Sequence, residues 1–219
     1  MPTRQQFDNS LDELSRSIFR LGSQVEERIE QAVESLVQQD LEQSNKVIVG
    51  DLEINELQAN IEEHCILLIA TQQPFASDLR KVVAGFKISI YLERMGDLAV
   101  DLAKLTLRIG HDKLIKPLID IPRMGALVQE MIRTGLESYV RADVEAARKM
   151  AETDDEVDHL YAQIFRDLLV IMMNDPATIN QANYLLFAGR FLERMGDYCT
   201  NIAEETVYIV TAKRTGLNE

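Results

Sequence analysis

The hexapeptide Leu-Glu-Arg-Met-Gly-Asp occurs twice in this chain, at residues 92–97 and again at 192–197. Sliding the chain along itself by roughly 100 residues extends the match well beyond those six positions. Val25 then meets Val128, Glu27 meets Glu130, and Ile29 meets Ile132. Glu34-Ser35 falls on Glu137-Ser138, Asp40 on Asp143, Asp51 on Asp154, and Leu57 on Leu160. The later hexapeptides align after a slip of a few residues, which places a deletion near Pro74 and Pro176. The chain is an internal duplication, so any fold assigned to one half must serve the other.

Each half reads as three helices. Amphipathic runs cover about Gln6 to Val49 and Asp51 to Thr71, and a third follows Pro74 and continues to about Ile109. Ile88, Leu92, Met95, Ala99, Leu102 and Ile109 recur at steps of three and four, one apolar stripe of a packed helix. Breaks are expected at Gly50, at Pro74, and where Gly110, Pro117 and Pro122 cluster. In the second half the breaks fall at Ala151–Glu156, where Thr153 and Glu156 have capping-box spacing, and around Pro176. No stretch alternates with period two for long enough to form a strand. The expected fold is all-α, two tandem three-helix bundles, spanning residues 1–115 and 116–219.

The formal net charge of -13 sets limits on partners. Such an excess of acid argues against nucleic acid, whose phosphates it would repel, and against direct adsorption to an anionic membrane leaflet. An acidic surface suits cations or a basic protein face instead. The N-terminal residues lack the apolar core of a secretory signal, and runs such as Cys65–Ala70 are too short to span a bilayer. The expectation is a cytoplasmic protein that meets membranes only through protein partners. Cys65 and Cys199, both in apolar stretches, read as reduced core thiols.

On a helical wheel centred on Leu92 and Ala99, Glu93 lies roughly 130° away, Asp97 about 170° and Asp101 about 210°. These acids therefore project away from the main core. Glu193, Asp197 and Asn201 repeat the pattern, and Asp51 with Asn55 and Asp154 with Asp158 share a face on the preceding helices. Like charges four residues apart cost a helix about 0.2–0.5 kcal/mol, so an idle surface has no reason to favour them. Two carboxylates about 6 Å apart at an effective dielectric near 20 repel by roughly 3 kcal/mol. Where adjacent helices bring these faces together, the acids either take up protons or recruit cations. Oxygen ligands without thiolate or paired imidazole suit Mg²⁺, Mn²⁺, Ca²⁺ or oxidised iron. Gly96 and Gly196 each cost about 1 kcal/mol inside a helix, which leaves room for a neighbouring helix or an ion.

At these residues the chain resembles the PhoU family, regulators associated with the bacterial Pst phosphate transporter. The resemblance rests on four stretches: Gln72–Val82, Leu92–Lys104, Asp154–Phe165 and Phe191–Arg214. It implies a non-enzymatic role, relaying phosphate sufficiency from the transporter's ATPase subunit to a sensor histidine kinase so that the phosphate-starvation regulon stays off. It also implies multinuclear metal clusters in some members, with iron, zinc, manganese or magnesium as the candidate ions; residual apolar surface could in addition support a homodimer. Carried over by motif, the ligand candidates are Asp51, Glu93, Asp97 and Asp101 in the first half. In the second they are Asp154, Asp158, Glu193 and Asp197. Asn55 stands where the family often has an acid, and Asp101 where it often has the asparagine that Asn201 supplies. An amide oxygen still ligates a hard ion but brings no charge.

Two other readings compete. A di-iron carboxylate protein needs a Glu-x-x-His motif on each of two helices, and only Glu156 with His159 has that spacing. A metal-free adaptor would dock its acid faces on basic loops of another transporter or kinase. No Gly-x-Ser-x-Gly, P-loop or paired Cys/His site points to hydrolase or transferase chemistry.

Overall fold

The computed structural model describes residues 4–217, all of whose regular structure is helical. Seven α-helices follow in order: α1 (Arg4–Gln38), α2 (Leu41–Val49), α3 (Asp51–Gln72), α4 (Ser77–Ile109), α5 (Asp120–Arg141), α6 (Val144–Asn174) and α7 (Ile179–Thr211). A single 3-10 turn, Pro176–Thr178, precedes α7. The short α2 and α3 together form one interrupted rod, so each half is a three-helix bundle. In the second half that rod is the unbroken α6.

The break between the first and second rods differs from the sequence expectation. It falls at Gln39 and Ala142, both with left-handed backbone (φ 54° and 52°); the expected boundary at Gly50 is present as a further interruption, and the one at Thr153 is not. The next residue in each half is the N-cap: Asp40 accepts from the Gln43 N–H, and Asp143 from the N–H groups of Glu145 and Ala146. The amide of the same aspartate donates to the Ser35 or Ser138 carbonyl at 2.9 Å, closing the preceding helix. An aspartate cap on both sides of the duplication thus outranks a capping-box spacing, and Thr153 sits inside α6. Gly50 does interrupt the first half, and the Arg28 guanidinium donates to the carbonyls of Lys46 and Gly50 there. A methyl on Gly50 would lie 2.2 Å from that guanidinium.

Four rods form the centre, with α1 packed on α4, α4 on α7, α7 on α5 and α5 on α1. Across the duplication the pairs run antiparallel. Arg80, Lys87 and Tyr91 of α4 meet the Ile209 carbonyl, Glu205 and Tyr198 of α7 in reverse order. Gly22 and Val33 of α1 likewise meet Leu136 and Gly125 of α5. Tyr139, fully buried, donates from its hydroxyl to the Lys81 carbonyl; a methyl on Gly85 would lie 2.7 Å from the Tyr139 hydroxyl oxygen. The core runs without interruption through both halves, from Leu14 and Ile18 to Ile202 and Val207. The remaining rods lie outside this ring: α3 covers the seam beside α1 and α4, and α6 covers the one beside α5 and α7. Among the described residues, no helix is long and apolar enough to cross a membrane.

Candidate functional site

The outer rods decide where the acids go. Leu92 and Ala99 of α4 are fully buried, as the wheel requires, yet the opposite side of α4 is only partly open to water. Its flank meets α3, whose Ile54 packs on Gly96: a methyl there would come within 3.2 Å of two Ile54 carbons and 3.9 Å of Asp51 Oδ1. On α7 the fit is closer, since a methyl on Gly196 would sit 2.7 Å from Asp154 Oδ1. The two glycines therefore let the acid-bearing turn of the outer rod lie directly against the central rod.

In the first half the seam brings Asp51 and Asn55 of α3 toward Glu93 and Asp97 of α4. Burial, and then the charges of Asp97 and Asp51, raise the Glu93 carboxyl above the usual range. Asp97 is raised by burial, by Asp51 and more weakly by Asp101. Arg94 opposes both shifts, its guanidinium lying 3.6 Å from Glu93 Oε2 and 3.3 Å from Asp97 Oδ2. The Asn55 side-chain amide donates to Asp51 Oδ2 at 3.0 Å, while Asp51 Oδ1 and Asn55 Oδ1 are buried with no donor. Asp101 lies at the outer end of the row, paired with Lys104 at 2.9 Å.

In the second half, Asp158 and Asp154 of α6 face Glu193 and Asp197 of α7. Glu193, with only 12% of its side chain exposed, is pushed up to about 7 by burial, then by Asp197 and Asp158. Arg190 forms an ion pair with its Oε1, and Oε2 is buried without a donor. Asp197 is raised by burial and by Asp158 against the pull of Arg190 and Arg194. Asp154 is only 4% exposed. Asn201, two turns beyond Glu193 on the same helix, is half-buried. Glu156 of the single Glu-x-x-His pattern is paired with Arg123 of α5 instead, and His159 is exposed.

Arg190 was not among the candidates from sequence. Its spacing three residues before Glu193, the i,i+3 distance of a helical ion pair, was the available signal. Among the described residues, no three acid, histidine or cysteine side chains already converge as a closed metal cage. What each seam does offer is a donor set of hard oxygens, some buried and lacking a hydrogen-bond donor, with partly exposed arginine counter-charges at the rim. That chemistry fits a hard divalent or trivalent cation, which would satisfy the orphaned oxygens.

Fold and seams together define a duplicated all-α protein that carries one acid-lined helix seam in each half. The PhoU domain matches this chain twice, over residues 18–106 and 121–206. The chain is 40% identical to a phosphate-specific transport system accessory protein PhoU homolog of Clostridium acetobutylicum, with 99% of this chain and 100% of the relative covered. The counterpart from Caulobacter vibrioides is 38% identical, with 92% and 88% covered. The crystal structure of PhoU from Pseudomonas aeruginosa superposes with a TM-score of 0.89 at 32% identity, covering 94% of this chain and all of that one. The phosphate transport system regulatory protein PhoU from Streptococcus pneumoniae gives 0.88 at 31% identity, with 95% and 99% covered. This chain belongs to the PhoU family.

Proposed function

We propose that this protein is a non-enzymatic, cytoplasmic regulator of phosphate uptake and phosphate-starvation signalling. It couples a Pst-type phosphate transporter, through the ATPase subunit, to a sensor histidine kinase, and reaches the membrane only through those partners. The observation that carries the reading is its likeness, over nearly the whole chain, to accessory proteins of the phosphate-specific transport system. The architecture supports a platform: rigid rods sharing one core, with acidic outer seams.

In this reading each seam holds a hard cation. Asp51, Asn55, Glu93, Asp97 and Asp101 are the ligand set of one seam; Asp154, Asp158, Glu193, Asp197 and Asn201 are that of the other. A bound cation would supply positive charge that fixes the outer rod against the central one. The chain's own part is to hold these oxygens at the seam, partly shielded from water, and to keep Arg94 and Arg190 displaceable at the rim. The metal-free adaptor remains the second reading, favoured by those same arginines, which already neutralise part of each seam. A strain lacking this protein is expected to express alkaline phosphatase and uptake genes in high phosphate; normal repression there would remove the regulatory assignment. Co-purification of the transporter ATPase subunit with this protein, with and without phosphate, tests the partner directly.

A further inference from the structure

Beyond Thr211 the chain leaves α7 and folds back along it. The Leu217 N–H donates to Glu204 Oε1 at 3.1 Å, and the Leu217 side chain rests against the core. Between these points Arg214 stands with its guanidinium 4.3 Å from the Tyr208 ring centroid and donates to Glu205 Oε1 at 3.0 Å. Glu205 is only 3% exposed, and its Oε1 also accepts from Lys87 of α4 at 2.7 Å. The other carboxylate oxygen, Oε2, is buried with no donor at all. A guanidinium, by contrast, is built to satisfy both oxygens of a carboxylate at once.

The duplication supplies a control within the same molecule. The 100-residue offset between the two hexapeptides sets Leu105 opposite Glu205, Phe187 opposite Lys87 and Leu114 opposite Arg214. Leu105 is buried, Leu114 packs on the core and Phe187 is 47% exposed, so the equivalent positions of the other half hold no charged group. A buried carboxylate with two cations is more costly to desolvate than an apolar trio of similar bulk. Closure of the bundle therefore does not explain the charge. Arg214 itself is 56% exposed, on a segment outside any helix, so it can leave without disturbing the rods. When it leaves, Lys87 still neutralises Glu205, and no bare charge is stranded between α4 and α7.

We propose that Glu205 and Tyr208 form an arginine-binding pocket, held in the free protein by the chain's own Arg214, which a basic segment of a partner protein enters by displacing the C-terminal strap. The carboxylate is the floor, the tyrosine ring the wall, and the strap an internal competitor. This pocket is separate from the acid seams and does not depend on what fills them.

The probe is N-acetyl-arginine amide, followed through the tyrosine-ring NMR signals, with Tyr208 assigned from Tyr208→Phe. Full-length Arg214→Ala and a chain ending at Ala212 should both give a saturable Tyr208 shift. A short tether holds its ligand at an effective concentration in the millimolar range, so the unmodified protein should bind the probe more weakly than Arg214→Ala, by a factor of one plus that concentration divided by the probe's Kd for Arg214→Ala. N-acetyl-citrulline amide, which keeps the shape but not the charge, should give no saturable shift. Glu205→Gln on the Arg214→Ala background should abolish binding, with circular dichroism confirming the helices; should that variant not fold, Tyr208→Leu on the same background serves in its place, with binding read from broadening of the probe's own NMR signals. Absence of a saturable shift in Arg214→Ala overturns the pocket, as does probe binding that survives loss of Glu205 or Tyr208. Equal affinity with and without Arg214 overturns the competition.

Discussion

Replacing Glu193 by glutamine probes the second seam with almost no change of shape. The unfolded chain holds this carboxyl near 4.5, and the fold pushes it up to about 7 by burial and by the charges of Asp197 and Asp158. The folded protein therefore takes up a proton that the unfolded chain has lost. This contribution favours the fold fully below about 4.5 and fades as pH rises through about 7. At ~1.4 kcal/mol for each tenfold change, the interval from 4.5 to about 7 sets a ceiling of about 3 kcal/mol. Arg190 and the water reaching the rim reduce the expected value to about 1–2 kcal/mol. Glutamine carries no charge at any pH, so Glu193→Gln should equal the parent at pH 4.5 and exceed it by that amount at pH 8. For a domain of this size the gain at pH 8 is about 2–8 °C in Tm. The assay is thermal unfolding by circular dichroism at both pH values, with a chelator present to keep cations out of the comparison. A variant less stable than the parent at pH 8, or one whose difference is the same at both pH values, would refute the reasoning.

The glycines should separate in the same way as their surroundings. Gly96→Ala places a methyl 3.2 Å from two carbons of buried Ile54, and the gain of about 1 kcal/mol in helix propensity offsets the crowding, leaving stability nearly unchanged. Gly196→Ala drives a methyl to 2.7 Å from the buried Asp154 carboxylate and should lose about 1–2 kcal/mol; a Tm at or above that of Gly96→Ala would contradict this. The thiols should be inert: burial pushes Cys65 up to about 12 and Cys199 well above its ordinary value. At pH 8 neither is expected to react with Ellman's reagent while the protein is folded, and both should react in guanidinium; rapid titration of either thiol in the native protein would contradict the packing.

Much of the fold was legible because the duplication let each half check the other. The helical period, the proline breaks near Pro74 and Pro176, and the buried stripe through Leu92 and Ala99 all carry direct local signals. Gly50 is a true boundary between Val49 and Asp51, but the earlier break at Gln39 went unseen, and the Thr153–Glu156 spacing looks like a helix start only in isolation. The paired Asp40 and Asp143, already aligned by the repeat, are the real caps, and a left-handed Gln39 or Ala142 leaves no mark in composition. The wheel placed the acids away from the main core correctly, but one helix cannot reveal what covers its far side. That cover is α3 or α6, and it turns an exposed row into a half-buried seam. Arg190 is local enough to have been anticipated. The pairing of Lys87 and Arg214 with Glu205 joins residues more than 100 positions apart and along a folded-back tail, which periodicity does not encode.

The acid seams carry the physical weight of this account, and elemental analysis of protein purified without a chelator or a nickel column tests them most directly. Hard cations should accompany the unmodified chain, and Asp97→Ala with Asp197→Ala should lose them while keeping full helical signal. A parent protein that holds no cation even after incubation with Mn²⁺, or a double variant with unchanged metal content, would contradict the assignment of these seams as cation sites.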